Sequence, residues 1–144
     1  AEATREQFGL LQTYLASRHA GGGMSDMGLF DYVAMVEETP VETMLVEYRV
    51  RQPDGSTGPL VACALTDVLQ DGLSMVYSFF DPSLADRSLG THMIMDHVSA
   101  ANMKRLAYVY LGYWVRSSRK MDYKVRFQPL EALGSSGWKR MPAE

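Results

Sequence analysis

The stretch from Gly72 to Met95, GLSMVYSFFDPSLADRSLGTHMIM, constrains the chain most. Gly72–Phe80 is apolar and aromatic-rich, and a strand is predicted there. Asp81-Pro82 opens a polar loop, and a helix is predicted from Ser88, behind Arg87, to Lys104. A second apolar run, Leu106–Val115, follows the helix. A strand reached through a helical crossover is expected parallel to the one before it. The junction between strand and helix has its own chemistry. An Arg- and Gly-bearing loop that leads into a helix N-terminus aims unpaired backbone N–H groups and the positive end of the helix dipole at one point. Such a point suits a phosphate, a carboxylate or a developing oxyanion.

The rest of the chain builds around that crossover. Thr4 and Gln7 have capping-box spacing, and Phe8, Leu11 and Leu15 recur at helical spacing. This helix is predicted to stop at Ala20, before Gly21, Gly22 and Gly23. A second helix is predicted from Ser25 or Asp26 through Phe30 and Val33, ending before Glu38-Thr39-Pro40. In Val41–Arg51, Val46, Tyr48 and Val50 alternate with Glu47, Arg49 and Arg51, the pattern of a half-buried strand. Leu60–Leu65 is apolar throughout and reads as a central strand. Turns at Pro53–Ser56 and Gln70–Gly72 make these strands an antiparallel meander. The crossover helix should bury Leu89, Met93, Ile94, Val98 and Ala101. Arg116–Tyr123 reads as a brief helix and Val125–Phe127 as a last strand, with an irregular tail around Trp138. The fold class is α/β (α+β): a mixed sheet with flanking helices in one domain, 1–144.

Composition narrows the function classes. With 47% hydrophobic and 22% charged residues the chain falls among soluble globular proteins. AEATREQF has no charged-then-apolar signal region, and a single cysteine, Cys63, permits neither an internal disulfide nor a thiolate-pair metal motif. A small core residue in a cytoplasmic protein is the expectation. The net charge of −3 conceals an asymmetry: residues 1–86 sum to −9 and residues 87–144 to +6. The tightest basic cluster is Arg116, Arg119, Lys120, Lys124 and Arg126. Such a cluster is either a footprint for a phosphate-rich ligand or an ordinary solvated face.

The element order resembles that of the GNAT acyltransferases, in which the donor sits where a strand, a loop and a helix N-terminus meet. Most of them bind coenzyme A through Gln/Arg-x-x-Gly-x-Gly/Ala. Here the pattern reads Arg87-Ser88-Leu89-Gly90-Thr91-His92, and an imidazole at the sixth position would crowd a pyrophosphate. Longer strings are more specific. RHAGGGM (18–24), DGLSMVYSFFDP (71–82), RSLGT (87–91), YVYLGYW (108–114) and MDYKVRFQPLEAL (121–133) resemble, in order and spacing, the C-terminal catalytic domain of the arginyl-tRNA–protein transferase family. They are similar to its bacterial branch, which moves leucine onto proteins with N-terminal Asp or Glu and so marks them for N-degron degradation. That family also carries a Cys-bearing N-terminal domain, which is not in this sequence.

The resemblance implies acyl transfer from an aminoacyl-tRNA ester to a protein α-amine, with no cofactor and no covalent intermediate. The amine must lose a proton, the oxyanion must be stabilised, and the ribose oxygen must be protonated as it leaves. Asp81 is the candidate to orient or deprotonate the amine, although an Asp before Pro also opens turns. Tyr113 is the candidate proton donor or ribose contact; Tyr110 and Tyr113 suit an amphipathic core equally. Arg87, Ser88, Leu89, Gly90 and Thr91 would hold the donor's terminal phosphate or ribose, with Lys120, Lys124 and Arg126 along the acceptor stem. Met75, Tyr77, Phe79 and the methionines of Met93–Met95 would line an apolar aminoacyl pocket, or simply fill the core. Arg18, His19 and Arg49 are the acceptor-side candidates, because an acidic side chain calls for a cation. The partners implied are leucyl-tRNA, with arginyl-tRNA the competitor, and proteins with acidic N-termini. A CoA-dependent N-acetyltransferase and a non-catalytic module that grips acidic N-termini stay open as alternatives.

Overall fold

The computed structural model describes residues 1–18, 27–114 and 122–142. The chain divides into two compact units, Ala1–Tyr110 and Leu111–Glu144. The first begins with α1 (Arg5–Arg18), opened by the capping box that the sequence announces. Gln7 N–H donates to Thr4 Oγ1 at 3.2 Å, and Thr4 N–H donates to Gln7 Oε1 at 3.0 Å. Helix α2 (Leu29–Glu37) starts later than predicted. Gly28 is extended, and its N–H donates to Asp31 Oδ2 at 2.9 Å, so Asp31 supplies the cap expected of Ser25 or Asp26. Those two positions, Ala20 and the Gly21–Gly23 hinge lie outside the described residues.

The sheet of this unit has the order β1 (Thr43–Arg51), β2 (Thr57–Val68), β3 (Gly72–Phe80), β4 (Tyr108–Tyr110). Its first two pairs are antiparallel and β3–β4 is parallel, joined by α3 (Leu89–Met103). The predicted meander and crossover are both present. β2 is the central strand, buried from Ala62 to Thr66. Cys63 and Leu65 join Leu11, Leu15, Tyr32 and Val36 in a core with α1 and α2, while Ala62 and Ala64 join Met93 of α3. Alternate residues of one strand thus serve two helical layers.

A bulge on β3 reverses that alternation midway. Leu65 pairs with Tyr77 and Thr66 with Met75, which leaves Val76 as an extra residue. Met75 therefore packs on the α3 side, whereas Tyr77 and Phe79 pack with α1 and α2. Residues two apart in an unbroken strand would share a face.

Other sequence expectations need correction. β4 ends at Tyr110 instead of Val115, and Gly112 at φ +81° cannot continue a strand. On α3, Val98 is 43% exposed, and His97, at 1%, takes its place in the buried stripe. In the second unit Asp122–Arg126 forms a 3-10 turn where a strand over Val125–Phe127 was expected. The tail is a regular hairpin of β5 (Leu130–Gly134) and β6 (Gly137–Met141), turning at Ser135-Ser136 with Gly137 at φ +98°. Among the described residues no helix is long and apolar enough to cross a membrane.

Candidate active site

β4 pairs with only Gly72, Leu73 and Ser74 of β3. From Met75 to Phe80 that edge of β3 has no strand partner among the described residues. The strand's last tie to β2 is Asp81 N–H, which donates to the Val61 carbonyl at 2.8 Å. Asp81 Oδ1 then accepts from Ser83 N–H at 2.9 Å and from Ser83 Oγ at 2.7 Å. Those bonds close the 3-10 turn Pro82–Arg87. The turn-opening role is therefore present, and it uses only one of the two carboxylate oxygens.

Past the turn, Ser88 sits in the left-handed region (φ 53°, ψ 47°) and α3 starts with no side-chain cap. The first intrahelical bond runs from His92 N–H to Ser88 O at 3.0 Å. The N–H groups of Leu89, Gly90 and Thr91 are thus left for an outside acceptor, at the positive end of a helix with no acidic residue in its first turn. Arg87 and Thr91 are exposed, Leu89 and Gly90 half-buried. His92 lies edge-on to Tyr48, with ring centroids 5.8 Å apart.

The end of β3 also meets the C-terminal turn of α1. The Arg18 guanidinium carbon lies 5.5 Å from the Tyr14 ring centroid and 5.6 Å from that of Phe80, whose own rings stand edge-on at 5.3 Å. Phe80 directly precedes Asp81, so a cation and the candidate base share one end of the sheet. Tyr77 packs into the same core, and its hydroxyl is buried without a hydrogen-bond partner among the described residues. Burial, with Tyr14 adding and Arg18 opposing, pushes that phenol up to about 12. Phe79 is fully buried, edge-on to Tyr32, and belongs to the core more than to any opening.

Arg49 is held elsewhere. It donates to Glu6 through both terminal nitrogens, at 2.7 and 3.1 Å, and to Glu47 at 3.1 Å. Glu47 Oε2 accepts from Gln7 Nε2 at 2.7 Å, and Gln7 Oε1 accepts from Tyr32 Oη at 2.9 Å. Arg18 lies twelve positions past Glu6 in α1, about 18 Å of helix. Arg49 is therefore a strut at one end of α1, and of the two it is Arg18 that lies at the end of β3.

In the second unit, Lys124 Nζ donates to the carbonyls of Leu111 at 2.8 Å and Tyr113 at 3.0 Å. Burial holds its pKa below the usual lysine range. Lys124 thus clips its own loop in place of facing outward, while Arg126 is exposed. The Tyr113 side chain is 89% exposed. His19, Arg116, Arg119 and Lys120 lie outside the described residues.

Sequence reasoning missed a buried polar chain on the α3 side. His97 Nδ1 lies 2.7 Å from Met93 O, the geometry of an N–H donating to a carbonyl, and Nε2 lies 2.8 Å from Thr66 Oγ1. Tyr48 Oη donates to Asp96 Oδ2 at 2.7 Å alongside it. These bonds tie α3 to β1 and β2, and they fix the helix whose N-terminus frames the site. The only signal in the sequence was His97 falling on the apolar stripe.

A family model described as "Arginine-tRNA-protein transferase, C terminus" matches residues 6–134. The chain is 62% identical over 141 residues to a protein of Phenylobacterium zucineum called aspartate/glutamate leucyltransferase, covering 98% of this chain and 55% of that protein. Proteins of the same name from Azorhizobium caulinodans and Xanthobacter autotrophicus are 57% and 56% identical, over 96% and 98% of this chain and 57% and 59% of theirs. The chain therefore spans a little over half the length of these relatives. With a match that covers nearly all of its length, the chain belongs to the arginine-tRNA-protein transferase C-terminal family.

Proposed function

We propose that this chain is the catalytic part of an aminoacyl-tRNA–protein transferase of GNAT-like fold, that both units serve one catalytic domain, and that it moves leucine onto the α-amine of proteins beginning with Asp or Glu. The observation that carries the reading is the junction of β3 with α3: a strand edge without a strand partner among the described residues runs into Asp81, and three helical N–H groups with no acceptor among those residues follow within ten residues. In this reading Arg87 and the first turn of α3 receive the donor's terminal phosphate or ribose, and no protein atom bonds to the acyl group. Asp81 keeps one carboxylate oxygen in its turn and uses the other to orient the acceptor amine and take its proton. The amine nitrogen then bonds to the ester carbon, and the tetrahedral oxyanion collapses with loss of the ribose oxygen. That oxygen leaves with a proton, for which Tyr113 is the proposed donor. Arg18 answers the acidic side chain of the acceptor, a role for which Arg49 is already engaged. The leucyl identity and the acidic acceptor follow the relatives' names.

The experiment is transfer from labelled leucyl-tRNA or arginyl-tRNA to peptides that begin with Asp, Glu or Ala. Label on the Asp and Glu peptides from leucyl-tRNA is expected. Acetylation of the same peptides from acetyl-CoA, with no label from either tRNA, would overturn the reading.

A further inference from the structure

The bonding pattern of β3 turns the main-chain groups of Ser78 and Phe80 away from β2. Asp81 N–H donates to Val61 O at 2.8 Å, so these two residues form a bonded pair at the end of the antiparallel ladder. Bonded and non-bonded pairs alternate, which makes Phe79 and Tyr77 the next residues bonded to β2, through Cys63 and Leu65. Ser78 and Phe80 therefore present their N–H and C=O groups at the other edge, where no strand lies among the described residues. β4 reaches only Ser74 on that edge. Between them stands Val76, the bulged residue, 53% exposed. Met75–Phe80 also carries no charge and no proline, the features that keep a strand edge from pairing with another chain.

What such an edge accepts is a main chain. Ser78 and Phe80 lie about 7 Å apart along the strand, so a ligand that satisfies both is an extended chain of at least about three residues. The aminoacyl ester of a tRNA is a single residue and cannot reach both. The acceptor can, because it is a protein N-terminus with its amine at Asp81, where the edge ends. We propose that the first residues of the acceptor add to β3 as an antiparallel strand, the second exchanging N–H···O=C bonds with Phe80 and the fourth with Ser78. That register sets the first residue, with its α-amine, opposite Asp81, and turns the N–H and C=O of the third away from β3. Beyond the fourth residue the bulge at Val76 and the pairing with β4 close the edge, and the acceptor leaves it. The proposal rests on the aminoacyl-tRNA reading above, which supplies a peptide acceptor. It adds how that acceptor is held whatever its sequence past the first residue.

The test uses the full 144-residue chain and short Asp-initiated alanine peptides, each N-methylated at one residue and labelled at the C-terminus, with binding read by fluorescence anisotropy. Methylation of an N–H that bonds to β3 should weaken binding on the order of tenfold, so the second and fourth residues should be sensitive and the third silent. Hydrogen exchange followed by NMR should show the Ser78 and Phe80 amides slowed by the unmodified peptide. Equal loss at all three residues, or none at any, with leucine transfer to the unmodified peptide intact, would overturn the added strand alone. A chain that neither binds the peptide nor transfers leucine to it would overturn both the strand and the reading beneath it. Ser78 and Phe80 amides already slowed without peptide, in a chain that sediments as a dimer, would give the edge to a second copy and overturn the proposal.

Discussion

Gly72 faces Tyr108 across the parallel ladder so closely that a Cβ at position 72 would lie 2.5 Å from the Tyr108 carbonyl oxygen. No rotamer change relieves a contact with backbone. The short β4 is held there by Ala107 and Tyr108 N–H groups, which both donate to Asp71 O at 3.1 Å, and by Tyr110 Oη, which donates to Asp71 Oδ2 at 2.8 Å. Asp71 and Gly72 thus anchor the start of the β3–β4 pairing, which runs only to Ser74 and Tyr110; beyond it β3 has no strand partner on that edge among the described residues.

Gly72→Ala should push β4 away and cost about 1–3 kcal/mol of stability. Urea denaturation followed by circular dichroism checks this, and aminoacyl transfer should fall with it. Wild-type stability in the variant would mean that β4 has room to shift.

Gln7 is a buried hub at 3% exposure, and removing its side-chain amide strands three partners, Thr4 N–H, Glu47 and Tyr32. Gln7→Leu should cost about 1–3 kcal/mol, because the Tyr32 hydroxyl is left buried without an acceptor. Adding Tyr32→Phe removes that orphan, so the double variant should be more stable than the sum of the two single losses. Strict additivity in a double-mutant cycle would show that the two side chains are not coupled.

Cys63 is fully buried, and burial, with Glu47 adding, pushes its thiol up to about 12. The native chain should resist a thiol reagent at pH 8 and react once unfolded. The sign of the pH dependence follows. Between about 9, where an unfolded thiol ionises, and about 12, the native state holds a proton that the unfolded chain has lost. Stability from this group should therefore fall as pH rises through that window. Cys63→Ser unfolding curves measured at pH 8 and pH 10 check it: this part of the alkaline loss should disappear.

Asp81→Asn separates the two roles that meet at this residue. An amide oxygen still accepts from Ser83 N–H, so the turn should survive. Turnover should drop at least on the order of tenfold, the lower range for a lost general base, with the acceptor KM little changed. Unaltered turnover would leave Asp81 as a turn residue only.

Much of this architecture was legible because it is local. Period-two alternation marked β1, continuous apolar runs marked β2 and β3, period-3.6 spacing marked α3, and Thr4 with Gln7 marked the start of α1. The capping box could be read from two residues three apart. What escaped was either long-range or a matter of a single backbone step. Glu6 and Arg49 are 43 positions apart, so nothing in the sequence revealed that Arg49 was already paired. The bulge at Val76 inserts one residue, and that was enough to part Met75 from Tyr77 and Phe79 in the pocket expected of them. Leu106–Val115 looked like one strand because its apolar run continues past Gly112, whose positive φ ends it. The hairpin had a signal that was passed over: Gly134-Ser135-Ser136-Gly137 between Leu130 and Met141 is turn chemistry flanked by strand formers.

The central claim is that the first turn of α3 receives the charged end of an RNA. A tRNA with a photoreactive group on its terminal adenosine, crosslinked to the full chain and mapped by mass spectrometry, tests it most directly. Crosslinks within Asp81–Thr91, undiminished by excess coenzyme A, are the expected result. Crosslinks confined to other segments, or their loss when coenzyme A is added, would contradict it.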